Sequence, residues 1–157
     1  MIFVTLGTQD KPFERLLESV DNQIKKGNIT DKVIVQAGCT KYSSSNIEIY
    51  NLMDIDTFNE YIKKCDLIIT HGGVGTILDG LKNNKKIIAF ARLSKYKEAI
   101  NDHQKQIINE FASQNYILTG ELNHLDDILK QAEKFKPKKF RSNNTNFNNL
   151  IQSKIKS

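Results

Sequence analysis

At residues 67–79 the chain reads Leu67-Ile-Ile-Thr-His-Gly-Gly-Val-Gly-Thr-Ile-Leu-Asp79, in which a short apolar run leads into a glycine-rich loop. The apolar run predicts a β-strand over 67–70, and the apolar residues after the loop recur at helical spacing. Glycines let a backbone approach a ligand closely, and a helix start offers unpaired N–H groups and a positive dipole end. The segment therefore predicts an anion site, above all for a diphosphate. A turn whose glycines serve only tight packing is the alternative.

Side chains in this loop indicate how a nucleotide would be held. Thr76 supplies a hydroxyl donor, and Asp79, one helical turn later, can accept hydrogen bonds from a ribose diol. His71 can contact a phosphate or a sugar, although an isolated loop histidine more often has a structural role. The loop lacks the Gly-Lys-Ser/Thr of a Walker motif, and Leu78 replaces the third glycine of a dinucleotide fingerprint. A dinucleotide enzyme is therefore disfavoured.

On both sides of the loop, apolar runs alternate with segments of helical period. Strands are predicted at 2–6, 32–37, 47–50, 67–70, 86–91 and 116–118, with helices between them. Pro12 is predicted at the first position of the first helix, and Asp54 or Asp56 at the start of the second. The alternation predicts an α/β fold, a doubly wound, mostly parallel Rossmann-like sheet whose ligands bind beyond the carboxyl ends of the strands.

Two further loops follow predicted strands at that edge. Asn101-Asp-His-Gln104 places a carboxylate, an imidazole and an amide together at a helix start, which suits the hydroxyl groups of a hexose. A simple helix cap with solvated neighbours is the alternative. Gly7 and Thr8 form a small polar turn after the first strand, which alone indicates no more than a turn.

Length and composition limit the possible classes of protein. The chain has 157 residues, 39% of them hydrophobic, which predicts one packed domain. It has no apolar run of the roughly 20 residues that a membrane-spanning helix needs and no signal-peptide pattern, so a cytoplasmic protein is expected. Cys39 and Cys65 lack disulfide or zinc-site spacing and are expected to be buried or half-buried thiols.

The positive charge is concentrated at one end of the chain. The net charge is +5, but residues 130–157 carry +7 and the preceding residues carry −2. A nucleotide-binding domain is therefore predicted at 1–135 and a basic, partly helical extension at 136–157. Such a segment suits an anionic partner such as a membrane surface, a nucleic acid or an acidic protein face, and a solvated tail is the alternative.

Three motifs in order carry a family resemblance: Val4-Thr-Leu-Gly-Thr8, His71-Gly-Gly-Val-Gly-Thr-Ile-Leu-Asp-Gly80 and Asp102-His-Gln104. Over residues 1–129 the chain resembles the C-terminal, donor-binding domain of GT-B glycosyltransferases of family 28. It is most similar in length and order to stand-alone forms. These are the small subunit of the eukaryotic dolichol-linked N-acetylglucosaminyltransferase and the bacterial PssE-like proteins of capsule and exopolysaccharide synthesis.

The resemblance implies a UDP-sugar site at the carboxyl edge of the sheet. By this resemblance, Gly73, Gly75 and Thr76 would contact the diphosphate, and Asp79 would bind the ribose. Asp102, His103 and Gln104 would contact the sugar and its phosphate. Gly7 and Thr8 would close the site from the opposite side. No cofactor or metal is implied. The catalytic base is expected on a partner chain, with His71 as the candidate within this one.

The resemblance also implies a donor-binding subunit of a two-component transferase. The partner would be a membrane-associated, PssD-like chain that holds a polyprenyl-diphosphate-linked saccharide and recruits this protein to the inner face of the membrane. The expected reaction is transfer of a hexose, with β-1,4-galactose the first expectation, in capsule or exopolysaccharide synthesis.

A non-catalytic module that binds a nucleotide sugar or acts as a scaffold, and so regulates a partner transferase, is the alternative from another class. Binding to nucleic acid is not expected, because it would need more than a basic tail.

Overall fold

The computed structural model describes residues 1–7 and 10–140, which form alternating strands and helices. The strands are β1 (Ile2–Thr5), β2 (Val33–Gln36), β3 (Glu48–Tyr50), β4 (Leu67–His71), β5 (Lys86–Phe90) and β6 (Leu118–Thr119). The helices are α1 (Glu14–Lys25), α2 (Ile55–Lys64), α3 (Val74–Lys82), α4 (His103–Ser113) and α5 (Leu125–Lys134). In this part of the chain, no helix has the length and apolar character needed to cross a membrane.

The six strands form one parallel sheet in the order β3-β2-β1-β4-β5-β6. β1 is central and pairs with both β2 and β4, with Val4 opposite Val35 on one side and Ile69 on the other. The central strands are buried along their length because helices cover both faces, which explains their continuous apolar runs. The predicted doubly wound α/β fold is confirmed.

The two faces of the sheet carry separate cores. α1 and α5 pack on one face through side chains such as Leu16 and Leu125. α2, α3 and α4 pack on the other through Ile62, Ile77 and Phe111. The chain therefore leaves β1 toward one face and β4 toward the other, which opens a crevice between these adjacent strands at their carboxyl ends. The loops after the neighbouring strands β5 and β6 also diverge, toward α4 on one face and α5 on the other.

The structure corrects two predicted element boundaries. Pro12 lies outside α1, because the buried Phe13 precedes the helix and its N–H donates to the Thr40 hydroxyl at 2.9 Å. The last strand begins at Leu118 and not at Tyr116, whose N–H closes the end of α4 on the Phe111 carbonyl at 3.1 Å. These positions depend on contacts with other segments, which local spacing does not reveal.

Asp54, and not Asp56, caps α2 by accepting the Thr57 N–H at 2.7 Å. Cys65 is buried as expected, whereas Cys39 is exposed in the turn after β2. Residues 136–140 form neither helix nor strand, and the rest of the predicted basic extension, 141–157, lies outside the described residues.

Candidate functional site

A cleft of about 400 Å³ opens at the carboxyl edge of the sheet, at the crevice between β1 and β4. It brings together five residues that the sequence places in the site and five that it does not. The first group is Gly7, His71, Gly73, Gly75 and Thr76; the second is Thr5, Gln36, Met53, Ile55 and Phe58. A smaller cavity of about 120 Å³ at the ends of β5 and β6 contains none of the predicted site residues.

The three glycines of the central loop have different surroundings. A Cβ atom on Gly72 would lie 2.6 Å from Cβ of Gln104, and one on Gly73 would lie 2.6 Å from Cε1 of His71. Both positions therefore need glycine to make room for the protein's own side chains. A Cβ on Gly75 would meet nothing within 4 Å. Gly75, in the first turn of α3, is thus the glycine of this loop that faces open space.

His71 ends β4 and forms part of the cleft wall. Its ring is held between Gly73 and Gly7. A Cβ atom on Gly7 would lie 2.4 Å from Nε2 of His71. Burial, reinforced by the positive charge of Arg92, lowers the pKa of His71 to about 3. The imidazole is therefore neutral at physiological pH, and its Nδ1 has no hydrogen-bond partner in the described structure. Because so low a pKa makes a weak base, His71 is better suited to contacting a ligand than to general base catalysis.

Unsatisfied buried polar atoms gather around this cleft. Within residues 1–7 and 10–140, the buried side-chain atoms without a hydrogen-bond partner are Oε1 of Gln36, Nδ1 of His71 and Nε of Arg92. The first two residues line the cleft, and Arg92 follows the adjacent strand β5. Since buried polar groups are normally paired in proteins, this cluster indicates a surface that is completed by a ligand.

Thr76 and Asp79 lie on successive turns of α3. Thr76 lines the cleft and is half-buried. Asp79 is also half-buried and lies three residues later, on the same side of the helix. It is not among the residues that line the cleft, so its contact with a ribose stays a prediction.

The motif at 102–104 lies at the start of α4 and is partly committed to its own loop. Asp102 accepts the Ser94 N–H at 2.9 Å, which lowers the pKa of that carboxyl. Gln104 accepts the Arg92 N–H through Oε1 at 3.2 Å. The His103 N–H is capped by the Asn101 side chain at 3.0 Å. None of the three residues lines the cleft, so their contact with a sugar stays a prediction.

Two expectations about Gly7 and Thr8 have different outcomes. Gly7 lines the cleft with a φ of +74°, a backbone conformation that favours glycine. Thr8 lies outside the described residues, so its contact with the ligand stays a prediction.

Sequence reasoning missed Arg92 and the far wall of the cleft. Met53, Ile55 and Phe58 look like an ordinary helix start, and Arg92 looks like part of a polar connection. Arg92 could have been noticed because it directly follows the apolar strand β5, at the edge where ligands bind.

Exposed apolar side chains also concentrate at this edge. In the described part of the chain, the large hydrophobic residues classed as exposed are Tyr50, Leu52, Ile55, Tyr96 and Ile100. Tyr50 ends β3 and Leu52 follows it, Ile55 begins α2, and Tyr96 and Ile100 follow β5. Leu52 and Ile100 are 65% and 86% exposed. We call these five residues the apolar rim. An exposed apolar cluster beside a cleft indicates an interaction surface.

The described part of the basic segment lies at the opposite edge of the sheet. Lys86, which starts β5, donates to the Ala132 carbonyl near the end of α5 at 2.8 Å. The Lys138 N–H donates to Asn115, just before β6, at 2.9 Å. An anionic partner bound to this segment would therefore leave the cleft open.

Comparison with known proteins connects this site to sugar transfer. The model of the glycosyltransferase family 28 C-terminal domain matches residues 1–156. The chain is 29% identical over 103 residues to the UDP-N-acetylglucosamine transferase subunit ALG13 of Candida albicans, covering 66% of this chain and 34% of that protein. It is 35% identical over 94 residues to the subunit of the same name in Saccharomyces cerevisiae, covering 57% and 44%. The chain thus matches less than half the length of these relatives.

Solved structures show the same fold. An NMR solution structure of ALG13 superposes with a TM-score of 0.62 at 23% identity, covering 99% of this chain and 96% of the other. The crystal structure of Acinetobacter baumannii MurG gives 0.55 at 16% identity, covering 83% and 40%. The glycosyltransferase VinC in complex with DTDP gives 0.55 at 15%, covering 99% and 36%.

Proposed function

The chain belongs to the glycosyltransferase family 28 C-terminal domain family, and we propose that its carboxyl-edge cleft binds the UDP-sugar donor of a glycosyl transfer reaction. The observation that carries this proposal is the cluster of unpartnered buried polar atoms around the cleft at the start of α3. A ligand with phosphate and hydroxyl groups would satisfy those of Gln36 and His71, which line the cleft.

The cleft supplies what departure of a diphosphate requires. Transfer from a UDP-sugar builds negative charge on the leaving diphosphate. The N–H groups and dipole at the start of α3 stabilise that charge, and Gly75 leaves room for it. The Thr76 hydroxyl and the neutral His71 ring add hydrogen bonds from the same side. Asp79 binds the ribose, and the residues at 102–104 face the sugar.

This chain acts as one half of a two-component enzyme. The apolar rim, of which Ile55 lines the cleft, offers surface that a second protein would cover. The curated relatives are themselves named as transferase subunits. The partner is a membrane-associated, PssD-like chain that supplies the base and holds a polyprenyl-diphosphate-linked acceptor, and it recruits this chain to the inner face of the membrane.

Replacing Leu52 and Ile100 in the apolar rim with lysine is expected to abolish recruitment by the partner, because each lysine would bury a charge at the interface. Co-expression with the partner should move the native chain from the supernatant to the membrane fraction. The control replaces Asn123 and Gln131, exposed residues near and within α5, with lysine and should be recruited like the native chain. Recruitment of the rim variant at the native level would place the interface elsewhere.

The donor sugar is proposed as a hexose. The resemblance to bacterial PssE-like proteins favours galactose in a β-1,4 linkage and a role in capsule or exopolysaccharide synthesis. The names of the curated relatives instead refer to UDP-N-acetylglucosamine. A donor screen with the reconstituted complex and a lipid-linked monosaccharide distinguishes these sugars by which one is transferred.

Asp79→Ala is expected to lower the transfer rate of the reconstituted complex about 10- to 100-fold, since a charged group's hydrogen bonds to the ribose are lost. Asp127→Ala, which removes an exposed carboxylate from α5, is the matched control and should retain the native rate. Full activity of Asp79→Ala in an intact complex would instead favour a scaffold role for this chain.

A further inference from the structure

Arg92, just beyond the carboxyl end of β5, is a buried cation that the proposed mechanism does not yet use. Its side chain is 1% exposed. Nη1 donates to the backbone carbonyls of Lys11 and Glu98, and Nη2 donates to that of Leu6. In the described structure it forms no ion pair with a carboxylate, and its Nε has no partner. Carbonyl oxygens hold the guanidinium in place but do not neutralise its charge.

The carboxylate of Glu98 is committed to a different cation. Its two oxygens accept hydrogen bonds from Nε and Nη2 of Arg15, both at 2.8 Å. Burial lowers the pKa of Arg92, and the nearby carboxylates of Glu98 and Asp10 oppose that effect without reversing it. The guanidinium nevertheless stays protonated at neutral pH, because its ordinary pKa lies above about 12. Positive potential therefore remains at this point of the structure.

Arg92 stands directly behind the cleft wall. Leu6, whose carbonyl it binds, precedes Gly7, and Gly7 packs against the His71 ring. The charge of Arg92 is strong enough at that ring to contribute to its lowered pKa. The backbone N–H of Arg92 also holds Gln104, which packs on Gly72. Arg92 thus connects the loops after β1 and β5 through its side chain, and reaches the loop after β4 through its backbone N–H and Gln104.

We infer that Arg92 is a positioning residue that stabilises the donor's diphosphate electrostatically from behind the cleft wall, without touching it. The inference rests on the proposed function for the location of the diphosphate, but not on the identity of the sugar or the base. A charge in a water-poor interior acts more strongly than one in solvent, and it adds to the field at the start of α3. Because uridine carries no phosphate, Arg92 should affect the binding of UDP and not of uridine.

The test compares UDP and uridine binding to the purified full chain by nuclear magnetic resonance titration, which measures weak affinities. Arg92→Met is expected to weaken UDP binding about tenfold and to change uridine binding less than about twofold. Arg92→Lys keeps the charge and should retain most of the UDP affinity. Lys95→Gln, which removes an exposed charge from the same loop, is the control and should bind both ligands as the native chain does.

Several outcomes would overturn the inference. Parallel loss of UDP and uridine affinity in Arg92→Met, or equal losses in the Met and Lys variants, would assign Arg92 a purely structural role. Unchanged UDP affinity in Arg92→Met would remove any role for its charge.

A second variant keeps the inference testable if Arg92→Met does not fold. Arg92→Gln removes the charge and keeps an amide group that can donate to one of the backbone carbonyls that Arg92 binds. It is expected to weaken UDP binding about tenfold and to leave uridine binding within about twofold of the native value. Unchanged UDP binding would contradict the inference, and so would a parallel loss of uridine binding. If the native chain binds neither UDP nor pyrophosphate, the proposed function fails, whereas native binding without the variant effects overturns the role of Arg92 alone.

Discussion

Gly75→Asp is expected to weaken UDP binding roughly 100-fold or more while the chain remains folded and becomes more stable. Gly75 is the second residue of α3, and a side chain there meets nothing within 4 Å. Glycine is a poor helix former and an acid suits the first helical turn, so the free energy of unfolding should rise by about 0.5–1.5 kcal/mol. The same carboxylate would repel a diphosphate placed at the start of the helix.

Gly75→Asn is the matched control, because asparagine has nearly the size of aspartate without its charge. Its UDP affinity should fall by about tenfold or less, and its stability should also stay near or above that of the native chain. UDP titrations together with urea unfolding of the three proteins separate ligand binding from folding. If Gly75→Asp binds UDP as tightly as Gly75→Asn, the diphosphate does not lie at the start of α3.

The layout of the fold could be predicted because it depends on local patterns and one topological rule. Continuous apolar runs mark strands covered on both faces, and alternation with helices implies a parallel sheet. The rule that ligands bind beyond the carboxyl ends then selects the loops after β1 and β4, where His71 and Gly7 meet. The start of α1 could not be predicted in this way, because Phe13 is fixed by Thr40 from a distant loop.

The chemistry of the site was less accessible to sequence reasoning because it depends on contacts between distant residues. Arg92 binds the carbonyl of Leu6, 86 positions earlier, and nothing in the local sequence indicates a buried guanidinium. The low pKa of His71 likewise results from burial and from Arg92. Sequence alone can name the residues at the carboxyl edge of the sheet. The contact between the loops after β1 and β5 decides which of their side chains are neutral, charged or without a hydrogen-bond partner.

The glycine-rich loop also shows that two competing interpretations can hold at different positions. Gly72 and Gly73 provide space for Gln104 and His71, as the packing interpretation predicts. Gly75 provides open space, as the ligand interpretation predicts. Composition cannot separate these roles, because both require the absence of a side chain and differ only in what occupies the space.

Gly73→Ala is expected to destabilise the chain by about 2–3 kcal/mol, whereas Gly75→Ala in the same loop should be neutral or slightly stabilising. Gly73 has φ −72° and ψ 120°, which alanine adopts without strain, so the cost is purely steric. The new Cβ would lie 2.6 Å from Cε1 of His71. The ring cannot retreat easily, because Gly7 packs against it from the other side.

A double-mutant cycle measured by urea unfolding tests whether His71 is the cause. If the clash with its ring sets the cost, Gly73→Ala should become nearly neutral in a His71→Ala background, and the coupling energy should approach the full 2–3 kcal/mol or so. A cost that persists without the imidazole would mean that the loop itself requires glycine. Strong coupling would show that the ring needs glycine at residue 73, because the chain would then tolerate a Cβ there only when the neutral histidine is absent from the cleft wall.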